Sequence, residues 1–250
     1  MDIIYISDNI FFNINNNNLY YIENNKNNKI NKNNWHNYLY NLDWNKLKLQ
    51  WKKRLKSNEN INSKVISRNS LFGLLECGSD GDCLFNCIAE AFNNPINKLC
   101  EIYTVKYLRN LVSQQINYKN FNDILELYKL QYDNNEFYGN WNPYHINSID
   151  EFKNEINTLG NNFWGDYTCI VFLQKFLNIN IIILNDDNIK IHPLGIDLDR
   201  NKKTIILYYY DNIHFQLVGY FNNYMQTLFN YNELPNSIIN IYNIDCKKNI

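Results

Sequence analysis

Glycine and proline are scarce in this chain, eight and four among 250 residues, while Asn, Ile, Lys, Tyr and Phe are over-used. The five favoured residues share A/T-rich codons, so the skew reflects coding bias rather than a structural demand. Net charge is absent too: 24 Lys and Arg against 25 Asp and Glu leave −1. Nothing global therefore draws the chain to nucleic acid or to an acidic membrane surface. Histidine is limited to four, and the six cysteines (77, 83, 87, 100, 169 and 246) form no C-x-x-C pair. That spacing argues against a zinc site, and no metal or other cofactor is implied. It reads instead as free thiols in a reducing compartment. No apolar run approaches the ~18 residues of a membrane span, and Met1-Asp2-Ile3-Ile4-Tyr5 lacks a basic signal-peptide start. The expectation is a protein inside the cell, in the cytoplasm.

What is present suffices for a core: 45% of residues are hydrophobic and 16% aromatic. The chain fits one sizeable domain with extensions. We divide it into an N-terminal extension over 1–70, a central domain over 71–220 and a C-terminal helical extension over 221–250. The extension opens with β-prone Ile3-Ile4-Tyr5-Ile6 and Ile10-Phe11-Phe12, then runs into flexible Asn/Lys low complexity. From 38 to 56 the pattern is helical, with Tyr40, Trp44, Leu47, Trp51 and Leu55 on one face. Lys46, Lys52, Lys53, Arg54 and Lys56 crowd the rest. Such a helix binds membranes, nucleic acid or acidic partners in some proteins, but the reading favoured here is a solvated basic side and a packed Trp side.

The stretch with chemistry in it is Gly78-Ser79-Asp80-Gly81-Asp82-Cys83-Leu84-Phe85-Asn86-Cys87. Two glycines among Ser and Asp mark a tight loop. Leu84, Cys87, Ile88, Ala91 and Phe92 then follow at helical spacing. Asp82 is the expected N-cap and Cys83 the first helical residue. A thiol there feels the positive helix end, which favours thiolate and lowers its pKa below the free value of ~8.5. The loop amides of Gly81 and Asp82 are candidates for holding an oxyanion. Cys87, one turn on, reads as a buried core residue, with a resolving-thiol role as the alternative.

Downstream, Leu99, Ile102, Val105, Leu108, Leu111 and Val112 predict a second helix, and Ile124, Leu127, Tyr128 and Leu130 a third. Pro143 breaks the chain, and His145 beyond it reads as solvent-facing. Ser148-Ile149-Asp150-Glu151 has capping-box form and predicts a helix over 149–158. Trp164-Gly165 then precedes a helix through Ile170–Leu177 and a β-branched strand over 179–184. Residues 189–194 read as an edge strand with His192 structural or exposed. Thr204–Tyr210 and His214–Tyr220 are antiparallel strands joined at Asp211-Asn212. His214, at the start of a strand beside a loop, is the candidate base.

Asp80, Gly81, Cys83, Leu84 and Phe85 match position for position the Asp-Gly-x-Cys nucleophile motif of OTU (ovarian-tumour) cysteine proteases, most of which are deubiquitinases. Asn212-Ile213-His214-Phe215-Gln216-Leu217-Val218 resembles the histidine motif of that family, and Trp164-Gly165 its middle landmark. The resemblance spans about 71–220. It implies an α+β, papain-type fold with a small, mostly antiparallel sheet between helices. It implies a thiol protease of the ubiquitin conjugation pathway, cleaving isopeptide or peptide bonds at the C-terminus of ubiquitin or a ubiquitin-like protein. Cys83 is then the nucleophile, His214 the base, and Asp80 a residue that shapes the loop or oxyanion hole, or simply an Asx-turn residue. Many relatives carry Asp or Asn two residues after the histidine; here it is Gln216. Three outcomes stay open: Gln216 orients the ring, an acid from elsewhere does, or the site is a Cys-His dyad. Two rival functions follow from the same residues. One is a catalytically dead ubiquitin-binding module, and the other a nucleic-acid or membrane-associated protein working through the basic helix at 44–56.

Overall fold

The computed structural model describes residues 2–58, 70–97, 101–192, 198–211 and 213–246. The N-terminal strands are more numerous than the pattern predicts. β1 (Ile3–Ser7), β2 (Ile10–Asn13), β3 (Asn18–Glu23) and β4 (Lys26–Lys29) form an antiparallel sheet in that order. The Asn-rich stretch read as flexible thus supplies two strands and their turns. Asn17, Asn24 and Asn25 take left-handed φ values of 54°, 50° and 59°. Asn adopts that conformation more readily than other side-chain-bearing residues, so it serves here where glycine usually would. Ile10, Phe12 and Leu19 of this sheet pack against Trp35, Trp44, Phe221 and Met225.

The single helix expected over 38–56 is broken into three elements. α1 (Trp35–Leu39) ends in a 3-10 turn, and Asp43 at φ 61° turns the chain into β5 (Trp44–Lys46). β5 pairs with β6 (Phe72–Leu75), Trp44 opposite Leu75. α2 (Leu49–Ser57) keeps the predicted packing: Trp51 and Leu55 are buried, and Trp51 Nε1 donates to Asn185 O at 3.1 Å. Tyr40 is left on the surface. Arg54 pairs with Asp245 at 2.5 Å and Lys48 with Asp186 at 2.6 Å. The apolar face of this basic segment is therefore occupied by the protein itself.

Beyond β6 come α3 (Cys83–Asn93), α4 (Val105–Gln114), α5 (Phe121–Asp133), α6 (Ile149–Asn157) and α7 (Tyr167–Phe176). They lead into β7 (Ile179–Asn185), β8 (Lys190–Ile191), β9 (Lys203–Tyr210) and β10 (His214–Phe221). β11 (Met225–Gln226), β12 (Leu228–Phe229) and α8 (Asn236–Cys246) close the chain, so two short strands precede the C-terminal helix. The main sheet runs β5-β6-β10-β9-β7-β8, with β11 beside β10 and β12 beside β9, and among the described residues the β7–β9 pair alone is parallel. This is an α+β fold with a sheet larger than expected. Ile181, Ile183, Ile205, Leu207 and Leu217 face α3–α7. Ile182, Leu184, Ile206, Tyr208 and Val218 face α2 and α8. Burial on both faces explains the unbroken Ile run of β7.

Several helix limits shift. α4 starts at Val105, where Thr104 Oγ1 accepts from Tyr107 N. Ile102 stays outside the helix and exposed. Leu99 lies outside the described residues, as do Cys100, Pro193, Leu194 and Asn212. In α5 the buried face is Leu125 and Tyr128, while Leu127 and Leu130 point to solvent. Ser148 Oγ caps α6 by accepting from Glu151 N at 3.2 Å, but the Glu151 carboxylate reaches Asn147 N rather than the cap residue. Ser148→Ala is expected to cost ~1 kcal/mol, read as a lower urea midpoint at unchanged slope. His192 stacks on Tyr167, ring centroids 4.3 Å apart. Among the described residues no helix is long and apolar enough to cross a membrane.

Candidate active site

The loop before α3 is built as the glycines require. Gly78 has φ 106°. Asp80 Oδ1 accepts from Asp82 N and Asp80 O from Cys83 N, both at 3.1 Å, which makes Asp80 the Asx-turn residue. Gly81 N donates to Asn161 Oδ1 at 3.2 Å. The three amides of Gly81, Asp82 and Cys83 are thus all engaged within the protein, so none stands as a free donor for an oxyanion in this state.

Asp82 is not the side-chain cap that its position suggests. Its backbone is helical (φ −89°, ψ −5°) and its carboxylate turns inward. There Oδ1 accepts from Arg109 Nε at 2.6 Å and Oδ2 from Gly160 N at 2.7 Å. Arg109 is fully buried. Its remaining donors reach Ile156 O at 2.9 Å, Phe163 O at 2.8 Å and Gly81 O at 3.2 Å. Its guanidinium also lies over the Phe85 ring, 4.5 Å from the centroid. One buried ion pair therefore ties the loop before α3 to the segment carrying Trp164-Gly165. The fit leaves no space for side chains. A Cβ on Gly81 would lie 2.4 Å from Gly160 O, and one on Gly165 2.8 Å from Leu84 Cδ2. Trp164 is half-buried and, with Tyr138, Tyr209 and Ile213, lines a cavity of about 350 Å³.

Cys83 is the first residue of α3, as expected, and only 2% exposed. Its thiol is not lowered as the helix end alone would have it. Burial pushes it up to about 11, with the Asp80 and Glu76 charges adding to the rise, and the N–H groups of Phe215 and Leu84 pull the other way. Desolvation of the thiolate outweighs the helix end because the sulfur sits beneath β10 rather than in water. Cys87, one turn on, is fully buried and donates to Phe215 O at 3.4 Å, a core position. Both cysteines thus lie against the residue next to His214.

His214 opens β10 opposite Tyr210 and is buried. Its Nε2 lies 2.8 Å from Glu76 Oε1. Gln216 Nε2 donates to the other oxygen, Glu76 Oε2, at 2.6 Å. Gln216 therefore meets a carboxylate rather than the imidazole. Among the described residues no hydrogen bond joins Cys83 Sγ to His214. Glu76 is the residue the sequence pattern missed. The register that sets Leu75 opposite Leu217 carries it opposite Gln216, on the face that His214 shares. Nothing local announces this, because β6 and β10 are about 140 residues apart. The site thus gathers a thiol, an imidazole and a carboxylate; thiol-based acyl transfer uses the first two as nucleophile and base, and a third group can orient the base.

A family model described as OTU-like cysteine protease matches residues 78–221. No curated protein matches the chain. Among solved structures, similarity extends to an ovarian tumour domain in complex with ubiquitin, at 18% identity and TM-score 0.44, over 70% of this chain and 87% of that one. An OTU deubiquitinase from Wolbachia pipientis wMel aligns at 15% identity and TM-score 0.40, over 67% and 94%. A viral OTU domain protease from Dera Ghazi Khan virus aligns at 16% and 0.38, over 66% and 98%.

Proposed function

The chain belongs to the OTU-like cysteine protease family, and from that premise we propose that it is a deubiquitinase cleaving bonds at the C-terminus of ubiquitin or a ubiquitin-like protein. The observation that carries this is the seat of Cys83 at the start of α3, its sulfur at the Phe215 N–H, one residue from His214. His214 takes the thiol proton as Cys83 Sγ attacks the carbonyl carbon, giving a tetrahedral oxyanion. Collapse breaks the C–N bond, and His214 returns the proton to the departing amine. Water, deprotonated by His214, then cleaves the thioester and restores the thiol. With the thiol raised to about 11, removal of the proton belongs to the step in which substrate engages, not to a standing thiolate. Gly81 and Asp82 hold the oxyanion once their amides leave Asn161 and Asp80, and Asp80 shapes that loop. The conjugates acted on are intracellular, in keeping with unpaired thiols.

One observation favours a second reading, a ubiquitin-binding module without turnover: Cys83 is buried, raised and without a hydrogen bond to His214 among the described residues. A ubiquitin probe with a C-terminal cysteine-reactive electrophile separates the two. We expect a covalent adduct with wild type, none with Cys83→Ala, and at least ~10²-fold slower labelling with His214→Ala, the lower end for a positioned base. Non-covalent binding of ubiquitin with no adduct establishes the module instead. Absence of both from folded protein overturns the ubiquitin assignment.

A further inference from the structure

We propose that Glu76 is the positioning residue of this site, orienting the His214 imidazole through Nε2 while the Gln216 amide holds the carboxylate in place. The inference rests on the proposed thiol chemistry but names a residue outside the stretch 78–221 that matches the family. Both Glu76 oxygens are committed, one to the ring at 2.8 Å and one to the amide at 2.6 Å. A carboxylate so tethered accepts an imidazole N–H with fixed geometry and selects the tautomer protonated at Nε2. Nδ1 is then the nitrogen available as base. The Gln two residues after the histidine also gains a reason. Its neutral amide donates to the acid, whereas a carboxylate at 216 would stand against Glu76 with like charge. In this chain the acid stands at the end of β6 and the amide donor at 216 on β10. Glu76 itself does not touch the sulfur by hydrogen bond, so it acts through His214.

A bystander role makes the opposite prediction, which gives the test its sign. The Glu76 charge is one of the causes raising the Cys83 thiol. Were that its whole effect, Glu76→Gln would ease thiolate formation and speed reaction with electrophiles. As a positioning residue its loss slows them. The experiment is alkylation of Cys83 by iodoacetamide, in which the sulfur–carbon bond forms and iodide leaves. The adduct is followed at the Cys83 peptide because Cys77 and Cys246 are partly exposed. Rates are compared from pH 6 to pH 9 in wild type, Glu76→Gln, the exchanged pair Glu76→Gln/Gln216→Glu, and His214→Ala.

We expect Glu76→Gln to react ~10-fold or more slowly near neutrality, toward the His214→Ala rate. The exchanged pair should recover most of the loss, since it returns one carboxylate and one amide to the same place. The Glu76 side chain is 38% exposed, so the variant folds, and circular dichroism checks that it does. An unchanged or faster rate in Glu76→Gln overturns the proposal, as does a loss that the exchanged pair leaves uncorrected. Iodoacetamide needs no ubiquitin, so failure of the substrate assignment and failure of the Glu76 role remain separate results.

Discussion

Arg109→Met is expected to lower stability by ~3–5 kcal/mol, a large share of the 5–15 kcal/mol that holds most domains folded. The side chain is wholly buried and satisfies four acceptors: the Asp82 carboxylate and the carbonyls of Gly81, Ile156 and Phe163. Methionine fills much of the volume and satisfies none. Asp82 would then be a buried carboxylate with the Gly160 amide as its remaining partner. Urea denaturation should show the midpoint falling at constant slope. The double variant Asp82→Asn/Arg109→Met should be less destabilised than the sum of its singles, because each single strands the other's group. A single-variant loss below ~1 kcal/mol would mean that water or loop movement relieves the site, and that the Asp82–Arg109 pair does not tie the loop to the Trp164-Gly165 segment.

Gly81→Ala should reduce probe labelling ~10²-fold, the scale of a misplacement by about 1 Å at a reacting centre. The new methyl would lie 2.4 Å from Gly160 O and 2.9 Å from Trp164 Cδ1. The nearer atom is backbone and cannot swing away. The loop must shift, and with it the first turn of α3 carrying Cys83. Overpacking of this kind also costs ~1–3 kcal/mol. Gly160→Ala is the control. That residue has φ 80° but no atom within 4 Å of a new Cβ. It should lose the ~1 kcal/mol of a left-handed alanine and keep its labelling rate. Equal labelling by Gly81→Ala and wild type would show that Cys83 does not depend on this contact.

The candidate site was legible where its determinants are local. The glycine-bearing loop, the stripe from Leu84 to Phe92 and the resulting place of Cys83 all lie within fifteen residues, and α3 begins where the pattern puts it. The β9–β10 pair is equally local, and His214 opens β10 as expected. The N-terminal sheet was half legible. Its first strands carry β-branched residues, but its later turns use Asn in left-handed conformations, which composition alone presents as low complexity. The helix expected over 38–56 failed because period counts which side chains share a face, not whether β6 offers an edge to Trp44–Lys46.

Arg109 and Glu76 could not be read at all. Each meets its partners across long stretches of chain, Arg109 at Asp82 and Phe163, Glu76 at His214 and Gln216. The amino-acid sequence alone determined the family, the elements around the loop and the places of Cys83 and His214 at the starts of α3 and β10, because those rest on short-range pattern. Tertiary structure decided the state of the thiol and the partner of the imidazole. Burial beneath β10 reverses the effect of the helix end on Cys83, and strand register brings Glu76 to His214. Solvent exclusion and strand register belong to packed chains, and no local spacing encodes them.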